Sequence, residues 1–138
     1  MIVIDASVGI KWFRKTSEEF IDQALILLKN HLDDKEIITV PSLFYLEIAN
    51  AMVTKTGYKE KIIRENLRFL NDQNLKIYSF TKDDYIESAM LSRKYKTTVY
   101  DMLYAVIARK LKTTLITADE KFVERTKFSY VKSLNDFK

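Results

Sequence analysis

The chain has 138 residues, 47% of them hydrophobic and 30% charged, a size and balance that predict a single globular domain over residues 1–138. It contains no cysteine, which excludes disulfides, thiolate catalysis and thiolate metal sites, and its longest apolar runs fall far short of the roughly 20 residues a membrane span needs. The formal net charge of +4 favours polyanions such as nucleic acid, though a lysine-rich surface also serves solubility alone.

In chain order, Ile2-Val3-Ile4 is a short apolar run, the mark of a strand covered on both faces. No basic start or long apolar stretch precedes Asp5, so no signal peptide is predicted and a cytoplasmic location is expected. Residues 6–13 read as a short helix, and Ser17 as the cap of the next, whose apolar stripe is Phe20, Ala24, Leu27 and Leu28. Residues 37–40 form a second strand. Pro41 then opens a helix to about Thr56, stopped by Gly57. A helix over residues 59–70 and a strand over 75–80 follow.

Thr81 with Asp84 resembles a capping box, opening a helix to about Tyr95. Residues 100–111 form the next helix, 114–117 a fourth strand, 119–125 a short helix, and 129–131 a last edge strand. Strands alternating with helices imply parallel pairing with right-handed crossovers. The expected fold is a three-layer α/β/α sandwich with a mostly parallel central sheet of four to five strands. Ligands of such folds bind outside the carboxyl ends of the strands.

Four acids stand out. Asp5 directly follows the first strand, and Asp119 follows the fourth across one alanine. Asp101 opens a helix, and Glu47 sits within an otherwise apolar helix, with Asn50 one turn further on. Taken singly, three of them have an ordinary explanation as helix caps, and Thr117 with Glu120 resembles a capping box. Glu47 is harder to explain that way, because its apolar neighbours leave little room for an exposed face and buried carboxylates need a partner. Four carboxylates brought together repel, by about 4 kcal/mol per close pair at ~4 Å and an effective dielectric near ~20. Divalent cations relieve this, and oxygen-only ligands select Mg²⁺ or Mn²⁺.

Around these residues the sequence resembles the PIN-domain nucleases, and among them the VapC-type toxins. The matching stretches run from Ile2 through Asp5 to Val8, from Pro41 through Glu47 to Ala51, from Tyr100 through Asp101 to Tyr104, and from Leu115 to Asp119, with Lys11-Trp12-Phe13 also similar. The resemblance implies metal-dependent RNA cleavage that leaves 5′-phosphate and 3′-hydroxyl ends. It implies Asp5, Glu47, Asp101 and Asp119 as ligands of one or two Mg²⁺ or Mn²⁺ ions, with Ser7 and Thr117 as nearby hydroxyls. It also implies a homodimer and a cognate antitoxin that covers the site. Met102 departs from the small residue that often follows the helix acid. Glu120 and Lys121 stand where some members carry a further Asp.

A basic rim for RNA is expected from Lys11, Arg14 and Lys15 and from Arg93 and Lys96, with Asn50 beside Glu47. His31, the only histidine, reads as a surface residue. A receiver domain would need an Asp at the end of the third strand, where Phe80 stands. A haloacid-dehalogenase phosphatase would need a second Asp at position 7, where Ser7 stands. The remaining alternative is a PIN-like module that binds RNA or protein without cutting.

Overall fold

A computed structural model describes residues 1–14 and 19–137. Its elements run β1 (Ile2–Ile4), α1 (Ala6–Gly9), α2 (Ile21–Leu32), β2 (Ile38–Pro41), α3 (Leu43–Lys55), α4 (Glu60–Asn71), β3 (Lys76–Tyr78), α5 (Lys82–Tyr95), α6 (Val99–Lys110), β4 (Thr114–Thr117), α7 (Glu120–Thr126) and β5 (Val131–Ser133). The five strands form one all-parallel sheet in the order β3-β2-β1-β4-β5, the centre of a three-layer α/β/α sandwich. From β1 the chain builds outward to β2 and β3, then returns to add β4 and β5 on the other side. The order therefore reverses between β1 and β4, where open parallel sheets form a ligand crevice.

The inner strands are apolar and covered on both sides: Val3, Ile4, Ile38, Val40 and Leu115 are fully buried. Helix α6 is the most deeply embedded, with residues 102–108 all buried. Met102 belongs to this core and is fully enclosed. Among the described residues, no helix is long and apolar enough to cross a membrane.

Several local expectations are corrected. Residues 6–13 are helical only in part: α1 ends at Gly9 and a 3-10 turn, Ile10–Phe13, follows. Gly9 is pressed against α3, and a Cβ there would lie 2.5 Å from Phe44 Cζ. Pro41 does not open α3 but ends β2, opposite Tyr78 of β3, where a missing N–H costs a single ladder bond. Ser42 takes the cap position. Strand β3 is shorter than residues 75–80, as befits an exposed edge, and β5 begins two residues later than expected.

Phe20 caps α2 in the left-handed region at φ 65°, while Ser17 lies outside the described residues. Gly57, at φ 64°, follows α3 as expected. His31 is not a bare surface residue. Its Nδ1 accepts from the Ile38 N–H at 3.1 Å, and its Nε2 lies 3.0 Å from the Gln73 carbonyl. An imidazole accepting at Nδ1 donates from Nε2, so it ties the start of β2 to the turn after α4.

Candidate active site

The sheet register sets the site. Ile4 of β1 pairs with Ile116 of β4, so the next residues, Asp5 and Thr117, leave the sheet side by side. The Thr117 hydroxyl donates to Asp5 Oδ2 at 2.5 Å. Asp5 also caps α1: its Oδ1 accepts from the Ser7 N–H at 3.1 Å and from the Ser7 hydroxyl at 2.5 Å. Ser7 Oγ in turn accepts from the Ala118 N–H at 2.9 Å, so a single oxygen ties the end of β1 to the end of β4. Thr117 Oγ1 accepts from the Asp119 N–H at 3.0 Å, and Asp119 Oδ1 accepts from the Phe122 N–H at 3.1 Å as the cap of α7. The expected Thr117–Glu120 capping box is therefore replaced by this relay, and Glu120 bonds the Ser133 hydroxyl instead.

Asp101 stands in the first turn of α6, whose cap is Thr98. Glu47 comes from the middle of α3, where the Tyr104 hydroxyl donates to its Oε1 at 2.6 Å. Tyr104 is one turn beyond Asp101 and is the largest fully buried side chain among the described residues. Acids from four distant stretches of chain thus reach one end of the sheet.

Electrostatics ties the acids together. Burial pushes the Asp5 carboxyl up to about 7; the Ser7 and Thr117 hydroxyls oppose this, and repulsion from Asp101 and Glu47 adds to it. Burial also raises Glu47, with the Tyr104 bond opposing and Asp101 adding. Asp101 is raised by burial, with Thr98 opposing and Asp119 adding. The Tyr104 phenol is driven far up by burial and by its acidic neighbours, so it remains a donor.

Among the described residues, the hydrogen bonds to Asp5 and Glu47 come from hydroxyls and one backbone N–H, none from a cation. Neutral donors orient a carboxylate without cancelling its charge. The acids nonetheless stand apart: among the described residues, no three His, Cys, Asp or Glu side chains lie close enough together to hold a metal ion as they stand. As a donor set of oxygens only, they fit a hard divalent cation.

A cleft of about 430 Å³ opens beside them, lined by Ser7, Glu47, Asn50 and Asp101 together with Lys11, Arg14 and Lys55. Lys11 is mostly buried, and its ammonium donates to the Glu19 carbonyl at 2.8 Å, so it is part of the wall rather than a loose rim. Arg93 and Lys96 are exposed and lie outside this lining, and Lys15 falls outside the described residues. A second hollow, of about 320 Å³, is lined by Tyr45, Asn71, Asn74, Leu75 and Ile77 and holds no acid or base.

Sequence reasoning missed Lys55, Thr98 and Tyr104. The signals were present. Lys55 follows Glu47 by two helical turns on the same face, Thr98 precedes Asp101 at capping-box spacing, and Tyr104 follows Asp101 by one turn.

No curated protein matches the chain. Solved structures do match in fold. One is a protein of Pyrobaculum aerophilum, with TM-score 0.71 and 18% identity over 97% of this chain and 90% of that one. Another is described as a toxin–antitoxin complex from Klebsiella pneumoniae, with TM-score 0.69 and 16% identity over 97% and 98%. A third is Mycobacterium tuberculosis VapC20, a sarcin–ricin loop cleaving toxin, with TM-score 0.66 and 10% identity over 90% and 95%. The model of the PIN domain matches residues 2–127, and the chain belongs to the PIN domain family.

Proposed function

We propose that this chain is a divalent-metal-dependent endoribonuclease, one nuclease domain that acts as the toxin of a type II toxin–antitoxin pair. One observation carries the reading: acids from four distant stretches of chain come to the end of the sheet where the strand order reverses, near enough to raise one another's carboxyls, and Asp5 and Glu47 are held by neutral donors. PIN domains are generally nucleases, which supports phosphodiester cleavage. The fold likeness to a toxin–antitoxin complex and to a sarcin–ricin loop cleaving toxin supports RNA as substrate and an antitoxin as partner.

In this reading Asp5, Glu47, Asp101 and Asp119 hold one or two Mg²⁺ or Mn²⁺ ions. A bound ion supplies a more acidic water and offsets charge on the phosphoryl oxygens. Ser7 and Thr117 keep both oxygens of Asp5 in place, and Tyr104 anchors Glu47. Arg14, Asn50 and Lys55, which line the cleft, meet the phosphates of the incoming strand, with Lys11 adding its charge from the wall. Exposed apolar residues, Leu46 and Val53 on α3 and Ile86 and Met90 on α5, offer surface for an antitoxin or a second copy in a homodimer. The cytoplasm, where RNA and antitoxin are made, is the proposed place of action.

The test is incubation with single-stranded RNA and Mn²⁺, with and without EDTA. The expected result is cleavage that stops on chelation and leaves 5′-phosphate ends. RNA bound but left intact at saturating Mn²⁺ would establish the non-catalytic binding module instead.

A further inference from the structure

Tyr104 spans a gap that packing alone does not explain. It is fully buried on α6, yet its hydroxyl reaches α3 and donates to Glu47 Oε1 at 2.6 Å. The bond joins residues 57 positions apart and is the only hydrogen bond to the Glu47 side chain among the described residues. Glu47 lines the cleft with Asp101, which sits one turn before Tyr104 on the same helix. A glutamate has three rotatable side-chain bonds, and one anchored oxygen removes most of that freedom. A lysine or arginine in place of the phenol would anchor it too, but would also cancel the charge. Phenylalanine would fill the same space and leave the carboxylate free to swing.

We propose that Tyr104 is a positioning residue: its hydroxyl anchors Glu47 Oε1 so that Oε2 is presented to a divalent cation in the cleft. This rests on the metal-dependent nuclease reading above. Groups that orient a metal ligand from behind are typically worth about 10–100-fold in metal affinity.

The experiment compares four proteins: the parent chain, Tyr104→Phe, Glu47→Gln and the double variant. Mn²⁺ binding is measured by calorimetry, RNA cleavage over a Mn²⁺ titration, and folding by thermal unfolding in EDTA. Tyr104→Phe is expected to weaken Mn²⁺ binding about tenfold and to raise the Mn²⁺ concentration for half-maximal cleavage by a similar factor. Its rate at saturating Mn²⁺ should stay within about threefold of the parent, because an orientation lost at low metal is restored by mass action.

In the Glu47→Gln background the same change should leave Mn²⁺ binding where Glu47→Gln alone puts it. A purely structural tyrosine would instead lower the melting temperature equally in both backgrounds and leave metal affinity untouched, which would overturn the proposal. Unaltered Mn²⁺ affinity in Tyr104→Phe, with the parent still cutting RNA, would overturn it while sparing the nuclease reading. A parent chain that neither binds Mn²⁺ nor cuts RNA would remove both. Should Tyr104→Phe fail to fold, Glu47→Asp takes its place. The shorter arm cannot keep both the phenol bond and the reach into the cleft, and parent-like Mn²⁺ affinity there would equally refute the anchor.

Discussion

Two aspartates in this molecule are shielded from solvent and behave in opposite ways. Asp84, in the first turn of α5, is fully buried; it receives the Lys110 ammonium, the Thr81 N–H at 2.8 Å and the Tyr78 hydroxyl at 3.1 Å. Burial pushes its carboxyl up, but the Lys110 bond and the other donors outweigh that and leave it below the usual carboxylate range. Asp5, 7% exposed, receives two hydroxyls and one N–H, and its carboxyl is held near 7. The difference lies in the partner as well as in the packing: more of the protein surrounds the Asp5 carboxyl, and no cation of its own chain answers it. An acid closed by a cation from its own chain is a structural joint, here tying α5 to α6. An acid closed only by neutral donors keeps an unmet demand for positive charge.

Substitution should separate the two sites. Asp5→Asn or Asp101→Asn is expected to cut RNA cleavage by about 10²–10³-fold or more, as when an electrostatic group aimed at the reacting centre is lost, with the circular dichroism spectrum unchanged. Asp84→Ala should do the reverse. It removes the capping box and the partner of Lys110, and should lower the unfolding free energy by about 2–3 kcal/mol in urea titrations. Its cleavage per folded molecule should match the parent. Parent-level cleavage by Asp5→Asn would erase the distinction.

The pH dependence of stability in EDTA sharpens the comparison further. With its folded carboxyl near 7, Asp5 holds a proton that the unfolded chain releases near 4. Its contribution is therefore full below about pH 4 and is lost as pH rises to about 7, with a slope of at most about 1.4 kcal/mol per pH unit. Glu47 and Asp101, also raised, act in the same direction. Asp84, lowered, stabilises at neutral pH and loses its effect only as pH falls into the acid range. Asp5→Asn should flatten the loss between pH 4 and 7 and leave the acid limb alone; an unaltered neutral limb would place the charge cost elsewhere. The smallest expected effect is that of Lys55→Ala, which should reduce the salt slope of RNA binding by about one without changing the rate at saturation.

Much of this was legible in the chain. The apolar runs of β1, β2 and β4, the Gly57 stop and the Thr81–Asp84 capping box are local signals, and the local chemistry decided them. What the sequence hid was set by contacts across the fold. Residues 10–13 became a 3-10 turn beside the Gly9–Phe44 contact, and Pro41 was drawn into the ladder by β3. His31 gained both its partners only when β2 and the turn after α4 came together. At the site, the acids were visible because they interrupt apolar patterns. The basic rim was not, since a lysine on a helix looks the same whether it faces a cleft or open solvent. Arg93 and Lys96 proved to lie outside the lining, while Lys55 lies within it.

The oxygen of Ser7, which donates a hydrogen bond to Asp5 and accepts one from the Ala118 N–H, works as a calliper. It holds the end of β1, where Asp5 stands, against the end of β4, one residue before Asp119. A hydroxyl has one proton to give, and here it goes to Asp5, so the same side chain has none left to offer anything that enters the cleft.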